Sequence, residues 1–172
     1  MIEFYREDQV AESDNIKLMT LLQLCFPMLP SFKVGRFYLE RSNYRWLVRD
    51  REEIIANAVV HDKIFLANAE SLRVAGIACV CVHPAHRGKG LAKALLSEIQ
   101  EWASGNGYDF GFLFGKNVIY RSSGYIHCDN DFTFINHRTG EKETKAIDTA
   151  HYLPLQNESW PESLIDMQGP MF

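Results

Sequence analysis

A single mixed α/β (α+β) domain, with a central sheet of about six or seven strands flanked by two or three helices, is the fold class this sequence predicts. Three observations carry that expectation. The run Val74 to Val82 contains no charged residue, and a strand apolar on both faces belongs in the middle of a sheet. Directly after it, two glycines one residue apart open a stretch in which Leu91, Leu95, Ile99 and Trp102 recur at helical spacing. Finally, 47% apolar and 23% charged side chains in 172 residues are the proportions of a globular chain that can bury a core, and no linker, repeat or low-complexity block divides residues 1–172.

Taken in order, Ile2 to Glu7 reads as a first strand. Ile16, Leu18, Met19, Leu21, Leu22, Leu24 and Cys25 make a strongly apolar helix from Asp14 to Phe26, with Ser13 or Asp14 as its N-cap and Pro27 and Pro30 ending it. The segment Ser31 to Ser42 reads as a second, poorer helix. Tyr44–Asp50 and Ile54–Ala67 are strands around a charged turn, and Leu72–Val82 is the next. Gly76 within it suggests a bulge or a close approach by another backbone. The helix after the glycines stops at Gly105 to Gly107. A strand in "YDFGFLFG", a brief helix at Val118–Ser123, and strands in "GYIHC", "DFTFIN" and "TKAID" complete the chain.

Charge narrows the partners. A net charge of −4 gives no global attraction to nucleic acid or to an anionic membrane, so neither partner is expected and any anion site is local. No apolar run is long enough to span a bilayer, and the acidic start "MIEFYREDQV" does not read as a signal peptide, so the expected address is the cytoplasm. Cys25, Cys79, Cys81 and Cys128 are too scattered for a disulfide framework and read as small buried apolar groups. Cys79 and Cys81 form one C-x-C pair without two further ligands, so no metal is expected.

The turn "HPAHRGKGLAKALL" is where chemistry is concentrated. A helix N-terminus presents unpaired N–H donors and about half a positive charge. Gly88 and Gly90 leave those donors uncovered, while Arg87 and Lys89 add charge, a combination suited to an anion such as a phosphate. The alternative is a plain strand-to-helix connection with solvated cations. The spacing fails the Walker pattern, because His83 stands at its first glycine and Gly90 follows Lys89. It also fails the dinucleotide fingerprint, because Lys93 stands at the third glycine.

Read as Arg87, Gly90 and Ala92, the turn resembles the [QR]-x-x-G-x-[GA] motif of the GNAT superfamily of acyl-CoA-dependent N-acetyltransferases. Downstream, "VIYRSSGYI" resembles that family's Y-x-x-x-G-[FY] motif, with Tyr120 four residues before Gly124 and Tyr125. The chain ends are loosely similar to the aminoglycoside and nodulation-type branch. The resemblance implies a sheet splayed at a cofactor cleft. It implies that acetyl-CoA (coenzyme A) is held at its pyrophosphate by Arg87, Gly88, Lys89, Gly90, Leu91 and Ala92, and along its pantetheine by Val80, Cys81 and Val82. It assigns Tyr120 a catalytic role toward the departing sulfur, and N–H groups near Val80 and Cys81 a role as donors to the thioester carbonyl. The acceptor would be a primary amine of a small molecule or peptide, and many members pair as homodimers.

No carboxylate lies on the Val74–Val82 run to act as base, so His83, His61 and Glu70 are the candidates and none is assigned. Asp129 and Asp131 are either attractors of a cationic substrate or a solvated turn. An acyl-cysteine route through Cys79 or Cys81 is disfavoured inside an apolar strand, which leaves direct transfer. A long-chain acyltransferase of the same fold and a non-catalytic acyl-CoA sensor are the alternatives.

Overall fold

The computed structural model describes residues 1–115 and 117–172, less the side chains of residues 117 and 119. The chain divides into two compact units: Met1–His61 with Ile77–Ile99, and Asp62–Gly76 with Gln100–Phe172.

The first unit holds β1 (Ile2–Arg6), β2 (Tyr44–Asp50), the start of β3 (Glu53–Ala67), the end of β4 (Glu70–Val82), α1 (Asp14–Cys25) and most of α2 (Leu91–Gly105). β1 pairs antiparallel with β2 and β2 antiparallel with β3, with one register shift between Val48 and Arg49. Eight successive residues of β3, Ile54 to His61, are buried, so this strand is covered on both faces. Leu18, Leu21 and Leu22 form the inner stripe of α1 and meet Phe32, Leu47, Ile54 and Cys81 in the core.

The expected second helix is absent. Only one 3-10 turn, Pro30–Lys33, forms there, and Val34 and Gly35 both return their N–H to Ser31 O. Phe32 is the one apolar side chain of this segment that is fully buried. Arg36, which would continue the helix, is drawn instead to the Glu7 carboxylate at 2.5 Å. Gly35 and the aromatic residues after it offer little helix propensity against that pull.

The second unit holds β5 (Phe110–Phe114), α3 (Asn117–Arg121), β6 (Ile126–His127), β7 (Asp131–Ile135), β8 (Lys142–Ala146), β9 (Ala150–Pro154) and β10 (Ile165–Pro170). β9 pairs antiparallel with both β5 and β6, and β7 antiparallel with β8. β10 lies antiparallel to β3 and parallel to β7, which makes the sheet mixed. Its core is aromatic: the Phe112 ring meets Phe65, Phe132 and Trp160 at centroid distances of 5.2, 5.5 and 5.7 Å.

The mixed α+β class is as expected, and the sheet is larger. Among the described residues ten strands form it, with neighbours in the order β6-β9-β5-β4-β3-β10-β7-β8, β2 also on β3, and β1 on β2. β9 and β10 are the additions. "IDMQGP" carries Asp, Gly and Pro, residues that strands disfavour, and pairing on both sides overrides that composition.

Candidate active site

The last third of β4 departs from regular strand. Cys79 stands in the left-handed region at φ 51°, and its carbonyl accepts from Asn57 Nδ2 at 2.9 Å. Gly76, where the sequence suggests an irregularity, keeps a negative φ. The approach there comes from a side chain, since a Cβ would lie 2.6 Å from Phe172 Cζ. Further on, His83 N–H donates to Ile55 O at 2.8 Å. Strand alternation then turns the backbone groups of Cys81 toward β3 and those of Val82 away from it. The Val82 carbonyl is already engaged, accepting from Arg87 Nε at 3.2 Å and from the Cys25 thiol at 3.5 Å.

The turn that follows is built by local bonds. His83 Nδ1 accepts from Ala85 N–H at 3.2 Å and starts a single 3-10 turn, Pro84–His86, which makes this histidine a cap. Gly88 and Gly90 take φ 75° and 77°. No atom lies within 4 Å of where their side chains would begin, so backbone conformation rather than packing demands glycine at both. Ala94 N–H bonds Gly90 O, leaving the N–H groups of Leu91, Ala92 and Lys93 ahead of the first intrahelical bond. Arg87, Gly88, Lys89 and Gly90 are exposed, and α2 has no acidic residue in its first turn. Open N–H groups, a helix terminus and two cations make a cradle that can take a diphosphate. All nine residues expected to touch the cofactor lie in the first unit, on one continuous stretch of chain.

Tyr120 belongs to the second unit. Its carbonyl accepts from Ser123 N–H at 2.9 Å and Tyr125 N–H at 3.3 Å, and Gly124 at φ 88° completes this tight turn. A side chain at Gly115 would collide with the Tyr120 ring. Tyr125 is buried, which pushes its phenol far up, and a side chain at Gly111 would come within 3.3 Å of its hydroxyl. Beside Tyr120 lies a histidine pair that the sequence reading missed. The His151 ring is 6.3 Å from Tyr120 and 5.4 Å from His127, centroid to centroid. His151 is fully buried, with Nδ1 3.0 Å from Thr149 O and Nε2 without a hydrogen-bond partner among the described residues, while His127 Nδ1 lies 3.2 Å from Asp129. Strand pairing creates this cluster by setting His127 opposite His151, which no sequence spacing reveals.

Among the proposed bases, His61 is buried 3.3 Å from Glu40 Oε1, and Glu70 is exposed at the start of β4. The thiols do not behave alike. Burial pushes Cys79 up to about 11. A hydrogen bond to Cys25, then burial, raises Cys81. Cys25 is lowered to about 7 by its bond to the Cys81 thiol and by Arg87, which corrects the view of all four as inert apolar groups. Also missed were Glu7, Arg45 and Asn57, all buried. A charge and an amide inside otherwise apolar strands were the available signal. Among the described residues no cluster of three or more His, Cys, Asp or Glu could hold a metal ion, and no helix is long and apolar enough to cross a membrane.

The chain resembles the GNAT family N-acetyltransferase YhbS from Escherichia coli, solved in complex with CoA, with a TM-score of 0.68 and 16% identity over 97% of this chain and 88% of that one. It also resembles a GNAT family acetyltransferase from Brucella melitensis, solved with acetyl-CoA, with a TM-score of 0.60 and 14% identity over 96% and 94% of the two chains. Eis1 from Mycobacterium abscessus gives a TM-score of 0.63 and 20% identity over 76% of this chain, which spans only 33% of that one. No curated protein matches by sequence. Residues 7–128 match the acetyltransferase (GNAT) domain family, and the chain belongs to that family.

Proposed function

We propose that the protein moves an acetyl group from acetyl-CoA to a primary amine of a small molecule or peptide, by direct transfer. The observation that carries this reading is the exposed turn at the start of α2, where two left-handed glycines leave open space before unpaired helix N–H groups. The E. coli and B. melitensis proteins of similar fold, solved with CoA and acetyl-CoA, support it.

In this reading the N–H groups from Arg87 to Ala92, with the Arg87 and Lys89 cations, hold the pyrophosphate. Val80 to Val82 pair with the pantetheine. Because the Val82 carbonyl already accepts from Arg87 and Cys25, the pairing falls on the other backbone groups of that segment. In the transfer, a bond forms between the amine nitrogen and the acetyl carbon while the carbon–sulfur bond breaks. The amine loses a proton and the sulfur gains one. Val80 N–H donates to the carbonyl oxygen as charge gathers there. Tyr120 donates to the departing sulfur. A phenol near 10 is a weaker acid than a thiol near 8.5, so full transfer is uphill by roughly 2 kcal/mol, and the hydrogen bond to developing charge is the larger contribution. Cys79 and Cys81, both raised, suit direct transfer better than an acyl-enzyme.

Calorimetric titration with acetyl-CoA, free CoA and a long-chain acyl-CoA tests the reading. Saturable binding of acetyl-CoA, followed by amine screening in which Tyr120→Phe lowers turnover about 10²-fold or more, supports it. Preference for the long chain redirects it to a lipid-type acyltransferase. Binding of none of the three ends it.

A further inference from the structure

The Cys79–Val80 peptide is held from behind by a chain of buried polar side chains. Asn57 Nδ2 donates to Cys79 O at 2.9 Å, and Asn57 Oδ1 accepts from Arg45 Nη1 at 2.6 Å. Arg45 Nε donates to Glu7 Oε2 at 2.9 Å. The same oxygen accepts from the Ser42 hydroxyl at 2.8 Å, and Glu7 Oε1 accepts from Arg36 Nε at 2.5 Å. Asn57, Arg45 and Glu7 are 0%, 1% and 2% exposed. A buried ion pair with an amide beside it is seldom the most stable filling for such a space, since well-packed apolar side chains avoid the desolvation. The network ends, moreover, on the carbonyl of the one β4 residue in the left-handed region.

A trans peptide is planar, and its N–H points opposite to its C=O. Fixing the Cys79 carbonyl against Asn57 therefore fixes the Val80 N–H in the opposite direction. We propose that Asn57, itself held by Arg45 and Glu7, is a positioning residue for acyl transfer: it locks the Cys79–Val80 peptide so that Val80 N–H donates to the thioester carbonyl oxygen. This rests on the acetyl-CoA reading above. The guanidinium on Asn57 Oδ1 also polarises the amide, which pulls on the Cys79 carbonyl and makes Val80 N–H a better donor. Such cooperative strengthening runs at about 10–30% per bond.

The variant that separates this from a packing role is Asn57→Asp, which has the same shape and still accepts from Arg45 but offers no donor to Cys79 O. The probe is acetyl-CoA carrying carbon-13 at the thioester carbonyl. Bound to the unaltered protein, its carbonyl stretch moves to lower wavenumber than in water. Bound to Asn57→Asp, it returns toward the free value while calorimetric affinity stays within about threefold. Turnover with the best amine from the screen falls about 10- to 100-fold, with KM for acetyl-CoA nearly unchanged, less than the full loss of an oxyanion donor. An unchanged stretch in the variant, whatever happens to turnover, overturns the proposal and leaves Asn57 as packing. Failure of the unaltered protein to bind acetyl-CoA overturns the cofactor reading and this inference with it. If Asn57→Asp does not fold, the unaltered protein decides: replacing CoA by acetyl-CoA shifts the amide protons of Val80 and of the Asn57 side chain together. Val80 moving while Asn57 stays fixed, or neither moving, overturns the relay.

Discussion

At Gly76, β4 carries no side chain because the Phe172 ring occupies the place of one; at Cys79, three residues on, it keeps a side chain in a conformation that favours glycine. The first site is short of room and its backbone is ordinary. The second keeps its side chain and is unusual in its backbone, and a hydrogen bond from Asn57 holds it there. A glycine in a strand thus reports a neighbour's approach here, whereas the backbone irregularity at Cys79 is held by a residue of another strand. The two can be broken separately.

The largest effect is expected from Glu7→Gln. Arg45 is almost fully buried and Glu7 is its carboxylate partner, so removing that charge leaves a buried guanidinium facing only neutral acceptors. Breaking a buried pair from one side costs about 3–5 kcal/mol. Urea denaturation measures it, and a loss below about 1 kcal/mol would mean that the network is dispensable to the fold. Next comes Gly76→Ala, with a Cβ 2.6 Å from Phe172 Cζ and 2.7 Å from Cε2. Overpacking of this kind costs about 1–3 kcal/mol. Phe172→Leu in the same chain should recover part of that loss in a double-mutant cycle, and strict additivity of the two changes would refute the steric account.

Cys79→Gly sharpens the contrast from the other side. Relief of left-handed strain is worth roughly 1–2 kcal/mol, against roughly 0.5–1 for the added freedom of glycine in the unfolded chain and a small loss of packing. Stability should therefore stay within about 1 kcal/mol of the starting protein. A loss above about 3 kcal/mol would show that the thiol, not the backbone, is what this position requires.

How legible this was depends on whether a feature is local. The glycine turn could be read directly, because Gly88, Gly90, Arg87 and Lys89 are contiguous and a helix terminus has the same N–H groups in any fold. α1 and the uncharged stretch of β4 followed from periodicity and composition. The stretch after Pro30 misled, because its geometry is set by Glu7, which draws Arg36 out of any helix. β10 escaped for a related reason: its Asp, Gly and Pro are tolerated only because β3 and β7 pair with it. The Glu7–Arg45–Asn57 chain and the His127–His151 pair join residues from different elements, so no spacing along the sequence marks them.

The smallest effect separates Cys25 from Cys79. The Cys81 thiol, hydrogen-bonded to Cys25, contributes most to lowering it to about 7, with Arg87 second, while burial, the largest cause, pushes Cys79 up to about 11. Alkylation by iodoacetamide reports the thiolate, so Cys25 should react first, with a midpoint near pH 7, while Cys79 stays protonated throughout that range. The folded Cys25 value lies below the unfolded value of about 8.5, so the unfolded chain binds more protons between the two. The contribution to stability is therefore complete above about pH 8.5 and is lost as pH falls through 7. Cys81, raised by the same bond, acts in the opposite sense above that window. Cys81→Ala should move the Cys25 midpoint upward by more than Arg87→Ala does, in the order of the two causes. A midpoint near 8.5 that neither substitution moves would place the Cys25 sulfur in water rather than against the end of β4.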